Sequence, residues 1–265
     1  MNFREKYDAA VVANNSLLCV GLDSDIKKLP ECLKNEKNPL KKFNDEIIAA
    51  TKDLVCAYKP NAAFYESAGA IGLEAWEAVC DAAPTIPMIA DVKRGDIGNT
   101  AEQYAVALYT INTYDAATIN PYMGWDAIEP FYRYEDKYSF VLALTSNKSA
   151  ADFEYHADLF KVVAKTVHSW NEKGSRLGLV VGATKPEELG EIRKMCPDEI
   201  FLIPGIGSQG GDVEKTVKNG FGGKHGNMVI NVSRAIIFAS TGTDFAAKAR
   251  EQAMQYRDMI NNYRS

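Results

Sequence analysis

Eight short apolar segments recur along the chain, and each is followed by a stretch with the periodicity of an α-helix. We predict strands over residues 16–23, 55–60, 86–93, 116–120, 138–146, 177–184, 200–205 and 227–234. The predicted helices cover residues 43–52, 67–82, 99–109, 125–131, 155–173, 186–195, 212–219 and 245–262, with a short amphipathic helix within residues 1–15. The order of strand and helix does not break anywhere along the chain.

The predicted strands are continuously apolar rather than alternating, which is typical of parallel strands that helices cover on both faces. Eight strand–helix units without a linker-like segment favour a closed (β/α)₈ barrel over an open doubly wound sheet. A chain of 265 residues is a common length for such a barrel. We therefore expect residues 1–265 to form a single TIM-barrel domain.

The composition and charge of the chain argue against several classes of protein. The net charge of -5 argues against a nucleic-acid partner, and no apolar run approaches the roughly 18 residues of a membrane-spanning helix. Residues 1–15 carry charges where a secretory signal would be apolar. The five cysteines are scattered without a C-x-x-C pair, and the three histidines are equally dispersed. We expect a cytoplasmic protein with no disulfide framework, no structural zinc site and no histidine-based chemistry.

Charged residues cluster where a barrel would place its active site, at the carboxyl ends of the strands. Asp91 and Lys93 lie two residues apart at the end of an extended run, so their side chains should point to the same side. Lys59 from the preceding strand and Asp96 from the following loop would complete an array of alternating charges. Opposite charges at close range would keep all four groups ionised. A salt-bridge network at the barrel mouth without catalytic function is the alternative.

A glycine-rich segment, GIGSQG, follows the seventh predicted strand and precedes a helix. A dinucleotide site would need this motif early in the chain and an acidic residue at the end of the next strand, which is absent. After the seventh strand of a barrel, such a loop commonly binds phosphate together with the loop after strand eight, where Arg234 stands. A tight turn beside a surface arginine is the alternative interpretation.

The segment DVKRGDIGNT, residues 91–100, fits the signature D-x-K-x-x-D-I-x-x-T of the orotidine 5'-phosphate decarboxylase family, which the chain resembles. Further matching segments are GLDSD, YKPNAAFYE, TINPYMG, LTSN, IPGIGSQGGD and NVSRAI, at the first, second, fourth, fifth, seventh and eighth strands. The match extends over nearly the whole chain and is nearest to the longer bacterial-type members. The resemblance implies decarboxylation of orotidine 5'-phosphate to uridine 5'-phosphate in pyrimidine biosynthesis, without a metal or organic cofactor.

The resemblance also implies a role for each residue of the charged array. Lys93 would be the general acid that protonates C6 of the pyrimidine as carbon dioxide leaves. Asp91 would lie against the substrate carboxylate, and Lys59 would orient Asp91 and contact the ribose. Asp96 would come from the partner subunit together with a contact from Thr100, so the resemblance implies a homodimer.

Substrate-binding positions follow from the same resemblance. Asp23 would bind a ribose hydroxyl, and Ser146 would bind the amide edge of the pyrimidine. Gln209 and Arg234 would bind the phosphate, with Gly207 in the same glycine-rich loop.

The chain departs from the family pattern at two places near the phosphate. Ser233 precedes Arg234 where the family often has glycine, and a tyrosine that some members carry in the phosphate loop has no match.

A magnesium-dependent sugar-phosphate decarboxylase or aldolase of the same superfamily is one alternative function, but Lys59 stands where that enzyme needs an acidic metal ligand. Asp23 and Asp25 could be imagined as a metal pair. A non-catalytic nucleotide-binding barrel is the other alternative, although it would have no need for the complete charged array.

Overall fold

The computed structural model describes residues 1–207 and 210–264 and contains an eight-stranded parallel sheet. The strands, β1 to β8 in chain order, are Leu18–Leu22, Ala57–Pro60, Ile89–Arg94, Ala116–Ile119, Tyr138–Leu144, Leu177–Val181, Phe201–Pro204 and Met228–Val232. Each of them overlaps one of the apolar segments from which a strand was predicted. Their side chains are almost all buried, as expected for strands that helices cover.

The sheet curls into a nearly closed barrel. Hydrogen-bonded neighbours follow the order β2-β1-β8-β7-β6-β5-β4-β3, so β2 and β3 form the remaining seam. Two parallel bridges, Tyr58 to Met88 and Asn61 to Asp91, join the two sides of that seam. The amide of Tyr58 donates to the carbonyl of Pro87 at 2.9 Å. The predicted (β/α)₈ fold is confirmed.

Helices cover the outside of the barrel. In chain order, α1 to α11 are Phe3–Asn14, Pro39–Thr51, Ala62–Glu66, Ala70–Ala78, Gly98–Val106, Trp125–Tyr132, Leu159–Trp170, Pro186–Met195, Val213–Gly220, Arg234–Ile237 and Phe245–Asn261. Helix α1 packs across the amino-terminal end of the barrel, where the Tyr7 hydroxyl donates to the carbonyl of Met228 at 2.8 Å. No helix in the described ranges is long and apolar enough to cross a membrane.

Two of the predicted helices begin later than predicted. The helix predicted over residues 67–82 begins only at Ala70, because the chain turns at Gly69 with φ +65, and it continues through α4 and a 3₁₀ turn to Ala82. Gly72 then packs so tightly that a Cβ atom would lie 1.9 Å from the carbonyl oxygen of Tyr65. The helix predicted from residue 155 begins only at Leu159, because Ala157 and Asp158 have positive φ values of +48 and +56.

The amino-terminal end of the barrel is fastened by a buried arginine. Arg193 on α8 is 7% exposed, and its guanidinium donates to the carbonyl oxygens of Gly220, Cys196, Glu199 and Asn227 at 2.8 to 3.0 Å. The same group lies 3.5 Å from the ring centroid of Phe201 at the start of β7. These contacts tie helices and strand starts together at the end of the barrel away from the strand carboxyl termini.

Candidate active site

Three charged side chains meet at the carboxyl ends of β2 and β3. The Lys59 Nζ atom lies 2.6 Å from Asp91 Oδ2, and Lys93 Nζ donates to the other oxygen of the same carboxylate. Lys59 is 4% exposed and Asp91 10%, whereas half of the Lys93 side chain is open to solvent. One carboxylate therefore holds two ammonium groups, of which Lys59 is almost buried and Lys93 is half-exposed.

The backbone brings Asp91 and Lys93 together by a different route from the one we predicted. The run is not extended at Lys93, whose φ is +48, and the pairing of β3 with β4 shifts register between Ala90 and Arg94. A non-glycine residue in this conformation costs free energy and is typically held in place by the surrounding structure. Strain of this kind is common at functional sites.

Thr118 on β4 holds this strained segment, and the sequence analysis missed it. Its hydroxyl donates to Asp91 Oδ1 at 3.0 Å and accepts from the amides of Val92 and Lys93, also at 3.0 Å. The side chain is 1% exposed, so water does not compete for these bonds. The available signal was a lone hydroxyl residue within the otherwise apolar strand Ala116–Ile119.

Electrostatics keep the pair between Lys59 and Asp91 ionised. Burial alone would raise the pKa of Asp91, but the ammonium groups of Lys59 and Lys93 outweigh it and hold the pKa well below its ordinary value. Burial likewise opposes the charge on Lys59, but the carboxylates of Asp91 and Asp23 raise its pKa above the ordinary value. Both groups are therefore charged throughout the neutral pH range.

Asp23 extends the array from the end of β1. Its Oδ1 atom lies 4.0 Å from Lys59 Nζ, is buried, and accepts no hydrogen bond from the described residues. Asp25 turns away instead, because its carboxylate caps the backbone amide of Lys27 at 3.0 Å and lies 3.6 Å from Lys28 Nζ. The two carboxylates thus do not form the metal pair considered above, and the Lys59 ammonium fills the space between Asp23 and Asp91.

A cavity of about 390 Å³ opens over these groups at the barrel mouth. Asp23, Lys59, Asp91 and Lys93 line one side of it, and Arg234 stands across the cavity at the start of α10. Its wall also contains apolar side chains from β5, β6 and β7, namely Leu142, Val180 and Leu202, together with several uncharged polar residues. Such a cavity, which combines an apolar wall segment with a few convergent charged and polar groups, suits a small anionic ligand.

Comparison with known proteins places the chain in a family. The model of the Orotidine 5'-phosphate decarboxylase / HUMPS family matches residues 16–249. A protein named orotidine 5'-phosphate decarboxylase from Roseiflexus castenholzii is 46% identical over 98% of both chains, and one of the same name from Cupriavidus necator is 45% identical over 100% of this chain and 99% of that one. The chain belongs to this family. Among solved structures, Leishmania donovani OMP decarboxylase superposes with a TM-score of 0.85 at 37% identity, covering 100% of this chain and 99% of that one.

The two segments for which we predicted phosphate binding follow β7 and β8, whose carboxyl ends open into the cavity. Ser146, Gly205 and Arg234 line it, whereas Gly207 is not among the lining residues. Gly205 and Gly207 have φ values of +110 and +85, a backbone conformation that other residues rarely adopt. Gln209, which we expected to bind phosphate, lies outside the described residues.

The serine that departs from the family pattern faces the same cavity. Ser233 lines it, and the Ser233 Oγ atom is buried and makes no hydrogen bond with the described residues. Its Cβ atom also lies 2.8 Å from the position that a Cβ on Gly21 would take, so β1 and the end of β8 approach closely there. The serine therefore leaves a hydroxyl available at the cavity wall beside Arg234.

Asp96 and Thr100 do not join the other site residues within one chain. Neither lines the cavity. Asp96 Oδ1 accepts from the amide of the next residue, Ile97, at 2.8 Å, and Thr100 is exposed near the start of α5. The charged array within one described chain therefore contains Lys59, Asp91 and Lys93, but not Asp96.

Proposed function

We propose that this protein decarboxylates orotidine 5'-phosphate to uridine 5'-phosphate, with Lys93 as the proton donor and without a metal or organic cofactor. The observation that carries the proposal is the pair of ammonium groups on Asp91, one almost buried and one half-exposed at the same cavity, in a chain of this family. A salt-bridge network that served only stability would not need a half-exposed lysine in a strained conformation at a cavity wall.

The reaction explains why such a lysine is needed. When the bond from C6 to the carboxylate breaks, the electron pair stays on C6 in the plane of the ring, where no π-system delocalises it. An ammonium group fixed beside C6 stabilises that charge electrostatically. Lys93 then transfers a proton to C6, carbon dioxide departs, and the neutral amine regains a proton from water.

Asp91 and Lys59 prepare Lys93 for this role. The carboxylate of Asp91 holds the Lys93 ammonium in place until the substrate arrives. Because Asp91 is ionised, it would repel a substrate carboxylate bound next to it, and that repulsion would be relieved as carbon dioxide leaves. Lys59 fixes the carboxylate of Asp91, and because it also lines the cavity it would contact the ribose.

Substrate binding would extend from this array across the cavity. Asp23, whose Oδ1 atom has no hydrogen-bond partner among the described residues, would bind a ribose hydroxyl. Ser146, which lines the cavity beyond the end of β5, would bind the pyrimidine amide. Arg234 would bind the phosphate, with Gly207 and Gln209 contributing from the glycine-rich loop. Binding energy from the phosphate can then be used to close the loop and lower the barrier at the distant C6.

We also propose a homodimer in which Asp96 and Thr100 complete the site of the partner subunit. Their place outside the chain's own cavity supports this assignment, as do two exposed apolar neighbours on the same end of the barrel. Ile97 is 51% exposed and Tyr122 85%. Apolar side chains exposed beside a site commonly mark a protein interface.

A mixture of two inactive variants tests the shared site. When Lys93→Ala and Asp96→Ala subunits are unfolded together and refolded at equal ratio, half of the dimers should be mixed, and each should contain one intact site. Activity should therefore recover to about a quarter of the wild-type value. Each variant refolded alone provides the control. If the mixture stays as inactive as its components, Asp96 acts within its own chain; if Asp96→Ala is active when refolded alone, Asp96 has no catalytic role.

The overall activity is tested by the loss of orotidine 5'-phosphate absorbance with purified protein in excess EDTA. Rapid turnover is expected, because none of the proposed steps uses a metal. An absence of turnover in EDTA, together with conversion of a sugar phosphate when magnesium is added, would instead identify the protein as the magnesium-dependent relative.

A further inference from the structure

A second group of potential ligand residues lies at the other end of the barrel from the catalytic cavity. His168 is near the end of α7, Cys196 follows α8, and Glu199 precedes β7. Because the cavity lies beyond the carboxyl ends of the strands, a residue just before the start of β7 lies at the opposite end. Among the described residues these three bring one nitrogen, one sulfur and one carboxylate oxygen within 4.8 Å of one another.

The carboxylate of this group is only partly satisfied. Glu199 Oε1 lies 2.7 Å from His168 Nδ1 and accepts from the Asn171 amide at 3.3 Å. The Glu199 side chain is only 4% exposed, and its Oε2 atom is buried without a hydrogen-bond partner among the described residues. A buried carboxylate oxygen without a partner is costly, so its presence points to a ligand that the protein atoms do not supply.

We propose that His168, Cys196 and Glu199 bind one divalent transition-metal ion of the zinc class. Imidazole, thiolate and carboxylate are each ligands that zinc binds, and a water molecule would be the fourth ligand. Three atoms within 4.8 Å of one another can surround an ion at coordination distance after movements of about 1 Å. His168 is 47% exposed, which gives the ion a path of entry from solvent.

The surroundings favour such an ion in two ways. Arg193 fixes the backbone at both buried ligands, since it donates to the carbonyl oxygens of Cys196 and Glu199 at 2.8 Å. The thiolate and the carboxylate together balance the two charges of the ion, so the Arg193 guanidinium faces a neutral complex.

A titration of the full-length protein with Co²⁺ tests the site, because a cobalt–thiolate bond gives a charge-transfer absorption that the free ion lacks. The wild-type protein should show this band and saturate at one ion per chain, and Zn²⁺ should displace the cobalt and raise Tm. His168→Gln should weaken the affinity for cobalt by at least about ten-fold. This variant changes a half-exposed side chain, so it should fold normally.

Two cysteine variants identify the thiol that gives the charge-transfer absorption. Cys196→Ser should abolish it, whereas Cys32→Ser, which changes an exposed thiol, should leave it unchanged. No band and no rise in Tm with Zn²⁺, or a band of equal affinity in His168→Gln, would overturn the proposal. The activity measured in EDTA is a separate readout, because the proposed site lies away from the catalytic cavity.

Discussion

Replacing Lys93 with alanine is expected to lower kcat for orotidine 5'-phosphate decarboxylation by at least about 10³-fold. In the proposed mechanism, the change removes both the cation that stabilises the developing carbanion and the proton that C6 receives. Because half of the Lys93 side chain is exposed, the fold should tolerate the change, with Tm shifted by no more than a few degrees. Steady-state absorbance kinetics and a thermal melt of the same preparation measure both effects.

Two further variants distinguish the loss of the proton donor from the loss of a positive charge near the cavity. Lys148→Ala removes an exposed lysine after β5, close to the cavity but outside the proposed machinery, and should retain near wild-type kcat. Lys93→Arg keeps a cation but cannot release a proton at neutral pH, so it should remain strongly impaired. Activity near wild type in Lys93→Arg would show that charge suffices and would contradict the role of Lys93 as proton donor.

Replacing Asp91 with alanine should abolish activity and also lower the free energy of unfolding by about 3–5 kcal/mol. The change leaves the Lys59 ammonium buried, with Asp23 at 4.0 Å as its nearest remaining carboxylate among the described ion pairs. Urea denaturation measures the loss. Asp45→Ala, which breaks the partly exposed pair with Lys41, should cost less than about 1 kcal/mol.

The pH dependence of the free energy of unfolding should differ between the wild-type protein and Asp91→Ala. In the wild-type protein the pKa of Asp91 is lowered, so its contribution to stability is present above the ordinary carboxyl pKa and is lost only as pH falls below it. The pKa of Lys59 is raised, so its contribution is lost only as pH rises beyond the ordinary lysine range. In Asp91→Ala, burial without Asp91 should lower the pKa of Lys59. The unfolded variant then binds more protons than the folded one, so its stability should rise with pH above neutrality.

A double variant checks whether the cost comes from an unpaired charge. Lys59→Met combined with Asp91→Ala should be more stable than Asp91→Ala alone, because the buried cation is then absent. Equal stability of the single and the double variant would mean that lost packing, not charge, causes the destabilisation.

Local patterns in the sequence determined much of this protein. Eight apolar runs predicted the eight strands, because a strand buried on both faces requires apolar residues throughout its length. The motif over residues 91–100 indicated the family, and its Asp91 and Lys93 stand beside Lys59 as the strand order requires. Helix boundaries were less well predicted, since the breaks at Gly69 and at Ala157 depend on positive φ values that periodicity does not reveal.

Only the tertiary structure decided which distant residues meet. Thr118 reaches Asp91 because β4 lies beside β3, and the left-handed conformation of Lys93 depends on that contact. The sequence spacing did not indicate the group of His168, Cys196 and Glu199. These residues come together only because two helices and a strand begin or end at the same place. Hydrophobic periodicity is set by neighbouring residues and can be read along the chain. Contacts between strands and helices depend on how the barrel closes, which no single segment encodes.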